Sequence, residues 1–355
     1  MSNKIKVLIV DDSALVRKIL QNGLSKDPDI EVIGTARDPY IARDLLVEHQ
    51  PDVITLDVEM PRMDGVTFLR KFMPTFPTPT IMVSSLTEKG KRITIEALEA
   101  GAIDIIEKPK VGVADELPLM MDDICERVKA AARAKVRARM VAKSRQTSTT
   151  ADPDIEDVSK ALDHSTDQVI AIGASTGGVE ALARILPMFP AATPGIVIVQ
   201  HMPGGFTHSF AQRLDSICTL QVKEAEDGDR IRAGRALLAP GGNRHMEVYR
   251  AGGEYRVRLV EGPKVSSHQP SVDVLFDSVA KNVGKNATAV LMTGMGKDGA
   301  NGLKKLRDVG CHTFAQDEQS CVVYGMPKAA WDIGAAEYQV SLDKIPVQVL
   351  SALRR

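Results

Sequence analysis

A chain of 355 residues is too long for one ordinary core and predicts two domains. Its 45 Lys and Arg balance 46 Asp and Glu, so no global field directs it to nucleic acid or a membrane surface. No apolar run approaches the roughly 18 residues of a membrane span, the opening MSNKIKVLIVDD does not read as an export signal, and Cys125, Cys218, Cys311 and Cys321 show no metal-ligand spacing, which favours reduced thiols in a cytoplasmic protein.

Residues 1 to about 125 alternate the short apolar runs IKVLIV, EVIGTA, DVITLD, TIMVS and IDIIEK with amphipathic segments, the pattern of a parallel sheet flanked by helices. Polar residues stand just after these runs. Asp11 and Asp12 follow the first, Asp57 ends DVITLD, Ser84 follows TIMV, and Lys108 follows DIIE in a Lys-Pro pair. Parallel strands bring their carboxyl ends to one edge, so these residues converge. Clustered carboxylates repel one another without a hard cation, and such an oxygen-rich site suits Mg²⁺ held by Asp11, Asp12 and Asp57. Asp57 then reads as a carboxylate that accepts a phosphoryl group, with Lys108 neutralising charge and Ser84 hydrogen-bonding the product. Any one of these aspartates is read more simply as a helix cap. An acidic pair, a lone Asp, a hydroxyl and a Lys-Pro at four strand ends is not.

On these residues, together with DVEMPRMDG from Asp57, residues 1 to about 122 resemble a response-regulator receiver domain. The resemblance implies a flavodoxin-like fold and a histidine kinase as phosphoryl donor. Ile105 departs from it, standing where many receivers carry an aromatic switch residue three positions before the lysine.

Between Arg127 and Arg145 lie eight basic residues and no acidic one, followed by QTSTTADPD. Small polar residues cannot supply a core, so 125–166 reads as a basic helical tail running into a linker. Its basic run lacks the aromatics of a nucleic-acid surface and reads better as a solvated helix face. The expected division is a receiver over 1–124, tail and linker over 125–166, and a second domain over 167–355.

From about Gln168 the alternation resumes with QVIAIG, GIVIVQ, RALLAP, YRVRLV and ATAVLMTG, a larger α/β domain with a hairpin-like insertion near Gly252 and Gly253. Its first strand runs into GASTGG. Ser175 occupies the position where a dinucleotide fingerprint needs glycine, and no Lys-Ser or Lys-Thr follows for a phosphate loop. Gly173 to Gly177 does satisfy G-x-S-x-G between a strand and the helical VEALARIL, the context of a nucleophile turn. An incidental serine in a glycine turn explains the match equally well. Among His49, His164, His201, His208, His245, His268 and His312, His201 directly follows GIVIVQ, and Asp298 lies in the glycine-rich loop after AVLM. Three strand ends thus offer Ser, His and Asp to one edge, although His201 as a satisfied polar residue and Asp298 as the cap of the helix at GANGLKKL are competing readings. In a triad, His201 takes the Ser175 proton and Asp298 holds the imidazole tautomer. Backbone N–H groups of the turn through Thr176 and of the loop around Met295 are the candidates for binding an oxyanion.

IGASTGG, VQHMP, LAPGGNRHM, PSVDVLFDSVA and LMTGMGKDGANGL, in this order, resemble the catalytic domain of chemotaxis protein-glutamate methylesterases. With a receiver in front, the whole chain is similar to the CheB family. The resemblance implies a Rossmann-like doubly wound sheet, a triad of Ser175, His201 and Asp298, and a contribution of the Met295 backbone to the oxyanion hole, beside which Thr176 remains a candidate from the turn itself. It implies hydrolysis of glutamyl methyl esters on chemoreceptor cytoplasmic helices with no cofactor for that step, deamidation of receptor glutamines, and a cytoplasmic enzyme without nucleic-acid binding or membrane insertion. A receiver fused to a hydrolase also suggests an intramolecular interface through which the unphosphorylated receiver covers the esterase cleft. Gln269 departs from the family pattern, which commonly has Arg there. A DNA-binding regulator and a non-catalytic scaffold are the rival classes.

Overall fold

Runs of Val, Ile and Leu too apolar to face water on either side become the interior strands of two parallel sheets. The computed structural model describes residues 4–84, 88–109, 112–134 and 167–353, and the chain divides into two units, Met1–Arg145 and Gln146–Arg355. The tail and linker expected over 125–166 lies, from residue 135 on, outside the described residues.

The first unit runs β1 (Ile5–Val10), α1 (Ala14–Leu24), β2 (Ile30–Ala36), α2 (Pro39–His49), β3 (Val53–Asp57), α3 (Gly65–Phe72), β4 (Thr80–Ser84), α4 (Glu88–Glu99), β5 (Asp104–Glu107), α5 (Val113–Leu119) and α6 (Met121–Ala132). Its sheet has the order β2-β1-β3-β4-β5 with every pairing parallel, the flavodoxin-like arrangement. β3 and β4 are buried along their whole length because helices cover both faces. α1 presents Val16, Leu20 and Leu24 to the sheet at four-residue spacing, and each such fully buried aliphatic side chain contributes about 1.5–3 kcal/mol. Ser13, Asp38 and Asp64 cap α1, α2 and α3 through side-chain acceptance of backbone N–H groups. Arg127 and Lys129, the first residues of the basic run, pair with Asp104, Asp123, Asp27 and Glu126 instead of lining a basic surface.

The second unit carries β6 (Val169–Ala174), α7 (Gly178–Ile185), β7 (Gly195–Gln200), α8 (Phe206–Asp215), β8 (Gln221–Glu224), β9 (Arg235–Leu238), the hairpin β10 (Arg244–Ala251) and β11 (Glu254–Glu261), α9 (Val272–Asn282), β12 (Ala287–Leu291), α10 (Ala300–Asp308), β13 (His312–Gln316), α11 (Met326–Asp332), β14 (Tyr338–Val340) and α12 (Ile345–Ala352). The parallel sheet has the order β14-β13-β12-β6-β7-β9-β8, doubly wound about β6. The strand order reverses between β6 and β12, the place where such sheets open a crevice.

Gly252 and Gly253, with φ of 58° and 85°, form the two-residue turn of the hairpin. YRVRLV belongs to this hairpin and not to the parallel sheet. The hairpin packs on α9, where Val248 N–H donates to Ser278 Oγ at 2.8 Å and Asn282 Nδ2 donates to the Val248 carbonyl at 3.0 Å. Phe276, Leu275 and Val279 of α9 are fully buried between that hairpin and the sheet. Gln269, the residue that departs from the expected Arg, bridges the base of the hairpin by donating from Nε2 to the Asn243 and Gly262 carbonyls at 2.8 and 2.9 Å.

Candidate functional site

In the second unit, β6 and β7 run in register with Ala174 opposite Gln200, so Ser175 and His201 leave the sheet side by side. The His201 N–H donates to the Ala174 carbonyl at 3.0 Å, and Ser175 N–H donates to the Thr293 carbonyl just past β12 at 3.0 Å. Buried Gln200 donates from Nε2 to the carbonyls of both Ser175 and His201, at 2.9 and 3.0 Å. Buried Thr293 ties the same turn to β12, its hydroxyl lying 3.0 Å from the Thr176 carbonyl while its N–H donates to Gln316 Oε1 at 2.8 Å. Glycine is required at two points here. A Cβ on Gly177, whose φ is 79°, would lie 2.6 Å from the Cβ of Val322, and one on Gly294 would lie 2.7 Å from that of Ser175.

His201 Nε2 lies 2.8 Å from Asp298 Oδ2, with the two side chains only 5% and 1% exposed. A carboxylate accepts, so Nε2 carries the proton and Nδ1 is left as the basic nitrogen. Nδ1 is buried and has no hydrogen-bond partner among the described residues.

Asp298 does not cap the helix that follows it, the competing reading of the sequence. It accepts instead from the start of α9: Val272 N–H at 2.8 Å, Asp273 N–H at 3.1 Å and the Ser271 hydroxyl at 2.8 Å. Burial alone would raise its pKa, but the His201 hydrogen bond and charge, with Val272 and Ser271, hold it below the usual carboxylate range. The helix N-terminus adds favourable dipole charge. Behind it, Asp273 is pushed up to about 6 by burial and by the neighbouring Asp298 charge, against the lowering effect of the Gly302 N–H.

His245 supports this arrangement from β10: its Nδ1 accepts the Ser271 N–H at 3.1 Å while Nε2 donates to the Pro263 carbonyl at 3.0 Å. His208 lies on α8 with an exposed side chain 3.5 Å from Glu224, away from these contacts. Thr176 is buried beside Ser175, and Met295 is half-buried in the loop between β12 and Asp298. Gln200, Thr293 and Ser271 escaped the sequence reading because each reaches across a long separation in the chain, and His245 stood there only as one of seven histidines.

In the first unit, Lys108 Nζ lies 2.8 Å from Asp11 Oδ2 and 2.8 Å from Asp57 Oδ2. Carboxylate oxygens of Asp11, Asp12 and Asp57 fall within 4.8 Å of one another, a hard-oxygen donor set that suits Mg²⁺. Burial first, then the charge of Asp11, pushes Asp57 up to about 7 against the opposing pull of Lys108. Asp11 is raised as well, chiefly by burial. Both shifts mark carboxylates short of positive charge, the deficit that a divalent cation removes. Ser84 receives a 2.8 Å hydrogen bond from the Thr94 hydroxyl of α4, and Ile105 is buried in β5.

The model of the CheB methylesterase family matches residues 170–349, and that of the response regulator receiver domain matches residues 7–116. A protein-glutamate methylesterase/protein-glutamine glutaminase of Syntrophotalea carbinolica is 55% identical over 99% of this chain and 99% of its own. The protein of that name from Sulfurimonas denitrificans is 54% identical over 98% of each chain. The crystal structure of the Thermotoga maritima CheB methylesterase catalytic domain is 40% identical, with a TM-score of 0.51, and covers 53% of this chain and 99% of that one. Among the described residues no helix is long and apolar enough to cross a membrane.

Proposed function

The chain belongs to the CheB methylesterase family, with a response-regulator receiver in front, and from that premise we propose how its residues perform phosphorylation-regulated hydrolysis of protein glutamyl methyl esters. Ser175 is the nucleophile, His201 the general base and Asp298 its orienting acid. The observation that carries this reading is the 2.8 Å contact of His201 Nε2 with Asp298, which leaves a buried, unpartnered Nδ1 on the residue beside Ser175.

Ser175 Oγ attacks the ester carbonyl carbon as its proton passes to His201 Nδ1, and Asp298 stabilises the imidazolium through Nε2–H. Backbone N–H groups of Thr176 and Met295 receive the oxyanion. Collapse of the tetrahedral species breaks the carbonyl–methoxy bond, and the Nδ1 proton leaves with the methoxy oxygen as methanol. Water then attacks acyl-Ser175 with His201 again as base, and glutamate is released. A glutamine side chain follows the same course with ammonia as the leaving group. The ester hydrolysis needs no cofactor.

In the receiver, Asp57 accepts the phosphoryl group from a histidine kinase. Asp11, Asp12 and Asp57 would hold Mg²⁺, which when bound neutralises charge on the phosphoryl oxygens. Lys108 turns from its two carboxylates to a phosphoryl oxygen, and Ser84 hydrogen-bonds another. We place the receiver at 1–124 and the catalytic domain at 167–355, joined by 125–166, in a cytoplasmic enzyme. Its partners are chemoreceptor cytoplasmic helices, and Asp57 phosphorylation biases a receiver–catalytic domain interface that otherwise covers the esterase cleft.

The test is methanol release from methylated receptor membranes by wild type, Ser175→Ala and Asp57→Asn, each with and without a small phosphoryl donor. Ser175→Ala is expected to lose the activity and Asp57→Asn to lose only the stimulation by donor. Methanol release surviving in Ser175→Ala would remove Ser175 as nucleophile.

A further inference from the structure

The triad reading leaves one close neighbour without a role. The imidazole of His268 lies flat on that of His201, with ring centroids 3.7 Å apart and planes 8° from parallel. Two features hold it there. Val265 and His268 exchange both backbone hydrogen bonds, at 3.1 and 2.9 Å, around Ser266 and Ser267, whose φ of 50° and 67° are left-handed at two side-chain-bearing residues. Such a turn persists where its surroundings impose it. The Ser266 carbonyl also lies 2.6 Å from His268 Nδ1. A carbonyl only accepts, so Nδ1 carries a proton and the ring cannot rotate without losing that bond.

Asp298 grips His201 by one edge. An imidazole's outer torsion is broad and two-fold, so an edge contact alone lets the ring swing about the Nε2–Oδ2 line. A flat ring against its face removes that freedom. We propose that His268 is a positioning residue for His201, keeping the imidazole in the plane where Nε2 meets Asp298 and Nδ1 stays open to receive the Ser175 proton, and that it does so in its neutral form.

The neutral form matters because His201 becomes positive as Ser175 is deprotonated. The π face of a neutral ring accommodates that charge, whereas a second imidazolium at 3.7 Å opposes it. Among the described residues, Asp298 in the loop after β12, Asp273 at the start of α9 and His245 behind Ser271 are titratable groups around the pair. The two carboxylates favour the His201 charge, whereas protonation of His268, which is in ring contact, disfavours it.

This inference rests on the triad reading, and the experiment separates the two. The full chain is treated with a fluorophosphonate that labels an activated serine without any receptor. A chelator is present, because His201, His268 and Asp298 offer ligand atoms within 4.8 Å of one another. His268→Ala is expected to slow labelling roughly 10- to 100-fold at pH 7.5, the range that loss of orientation gives. His268→Phe, which keeps a flat ring without a titrating nitrogen, is expected to restore the rate to within about 3-fold. The acid limb of the rate is expected to be shallower in His268→Phe than in wild type. Labelling of His268→Ala at the wild-type rate would overturn the proposal, as would a folded His268→Phe no faster than His268→Ala. If His268→Ala does not fold, the steepness of the acid limb in His268→Phe against wild type decides. Wild type that takes no label at Ser175 would instead remove the triad reading, and this proposal with it.

Discussion

Asp57 and Asp298 both end at the carboxyl edge of a parallel sheet, are 3% and 1% exposed, and lie 2.8 Å from a nitrogen partner. Their electrostatics run in opposite directions. Asp57 shares Lys108 with Asp11, and its other oxygen receives only a long 3.4 Å contact from the Glu59 N–H, so burial carries it up to about 7. Asp298 is buried as deeply but accepts from His201, two backbone N–H groups and a hydroxyl, and stays below the ordinary range. Burial alone therefore does not set the charge of a carboxylate; the supply of donors does. On the roles proposed above, the charge used in every turnover is fully provided for, while the one that receives a cation and a phosphoryl group is left short of donors.

The sharpest way to break this contrast is to replace each acid by its amide. In Asp298→Asn the amide nitrogen can donate toward His201 Nε2, which moves the ring proton to Nδ1 and removes the base. Methanol release is expected to fall about 10³- to 10⁴-fold in kcat with little change in KM. A loss below about 10-fold would mean that Asp298 does not set the tautomer. Next in size is the cation. Mg²⁺ needs Asp57 ionised, and with Asp57 at about 7 the competent fraction rises from about a tenth at pH 6 to about nine tenths at pH 8. Calorimetric titration of the full chain should show binding about 10-fold tighter at pH 8 than at pH 6, and equal affinities would contradict a raised Asp57. The smallest effect is on stability. A carboxyl whose folded pKa is raised binds more protons folded than unfolded, so stability falls as pH rises from about 4 to about 7 and is level above. Asp57→Asn escapes that penalty. Without Mg²⁺ it should exceed wild type at pH 8 and match it at pH 4 in urea unfolding.

Much of this was legible in the chain itself. The apolar runs IKVLIV, DVITLD, QVIAIG and GIVIVQ are the strands β1, β3, β6 and β7, and the polar residues just after them are the ones brought together. Burial on both sheet faces leaves these strands no polar positions, so they read plainly. β8 (QVKE), β13 (HTFAQ) and β14 (YQV) did not, because short strands carrying polar residues lack that signal. His268 looked like one histidine among seven. Its importance comes from a turn that folds it back over a residue 67 positions away, 268 against 201, and no local periodicity encodes that. The same holds for Asp298. Sequence adjacency suggested the helix at Ala300, while the fold delivers it to a helix that begins 26 residues earlier, at Val272.

That placement has a consequence for engineering. Functional groups are commonly held in place against the interests of the fold, and removing one then makes a protein sturdier. Here the usual trade is reversed at one position. The carboxylate proposed to orient the base also accepts the Val272 and Asp273 N–H groups that open α9, the helix whose Leu275, Phe276 and Val279 are fully buried in the core. Truncating Asp298 to Ala would therefore silence the enzyme and leave those buried N–H groups unmet together, so selection for thermostability alone opposes that loss even where the substrate is gone.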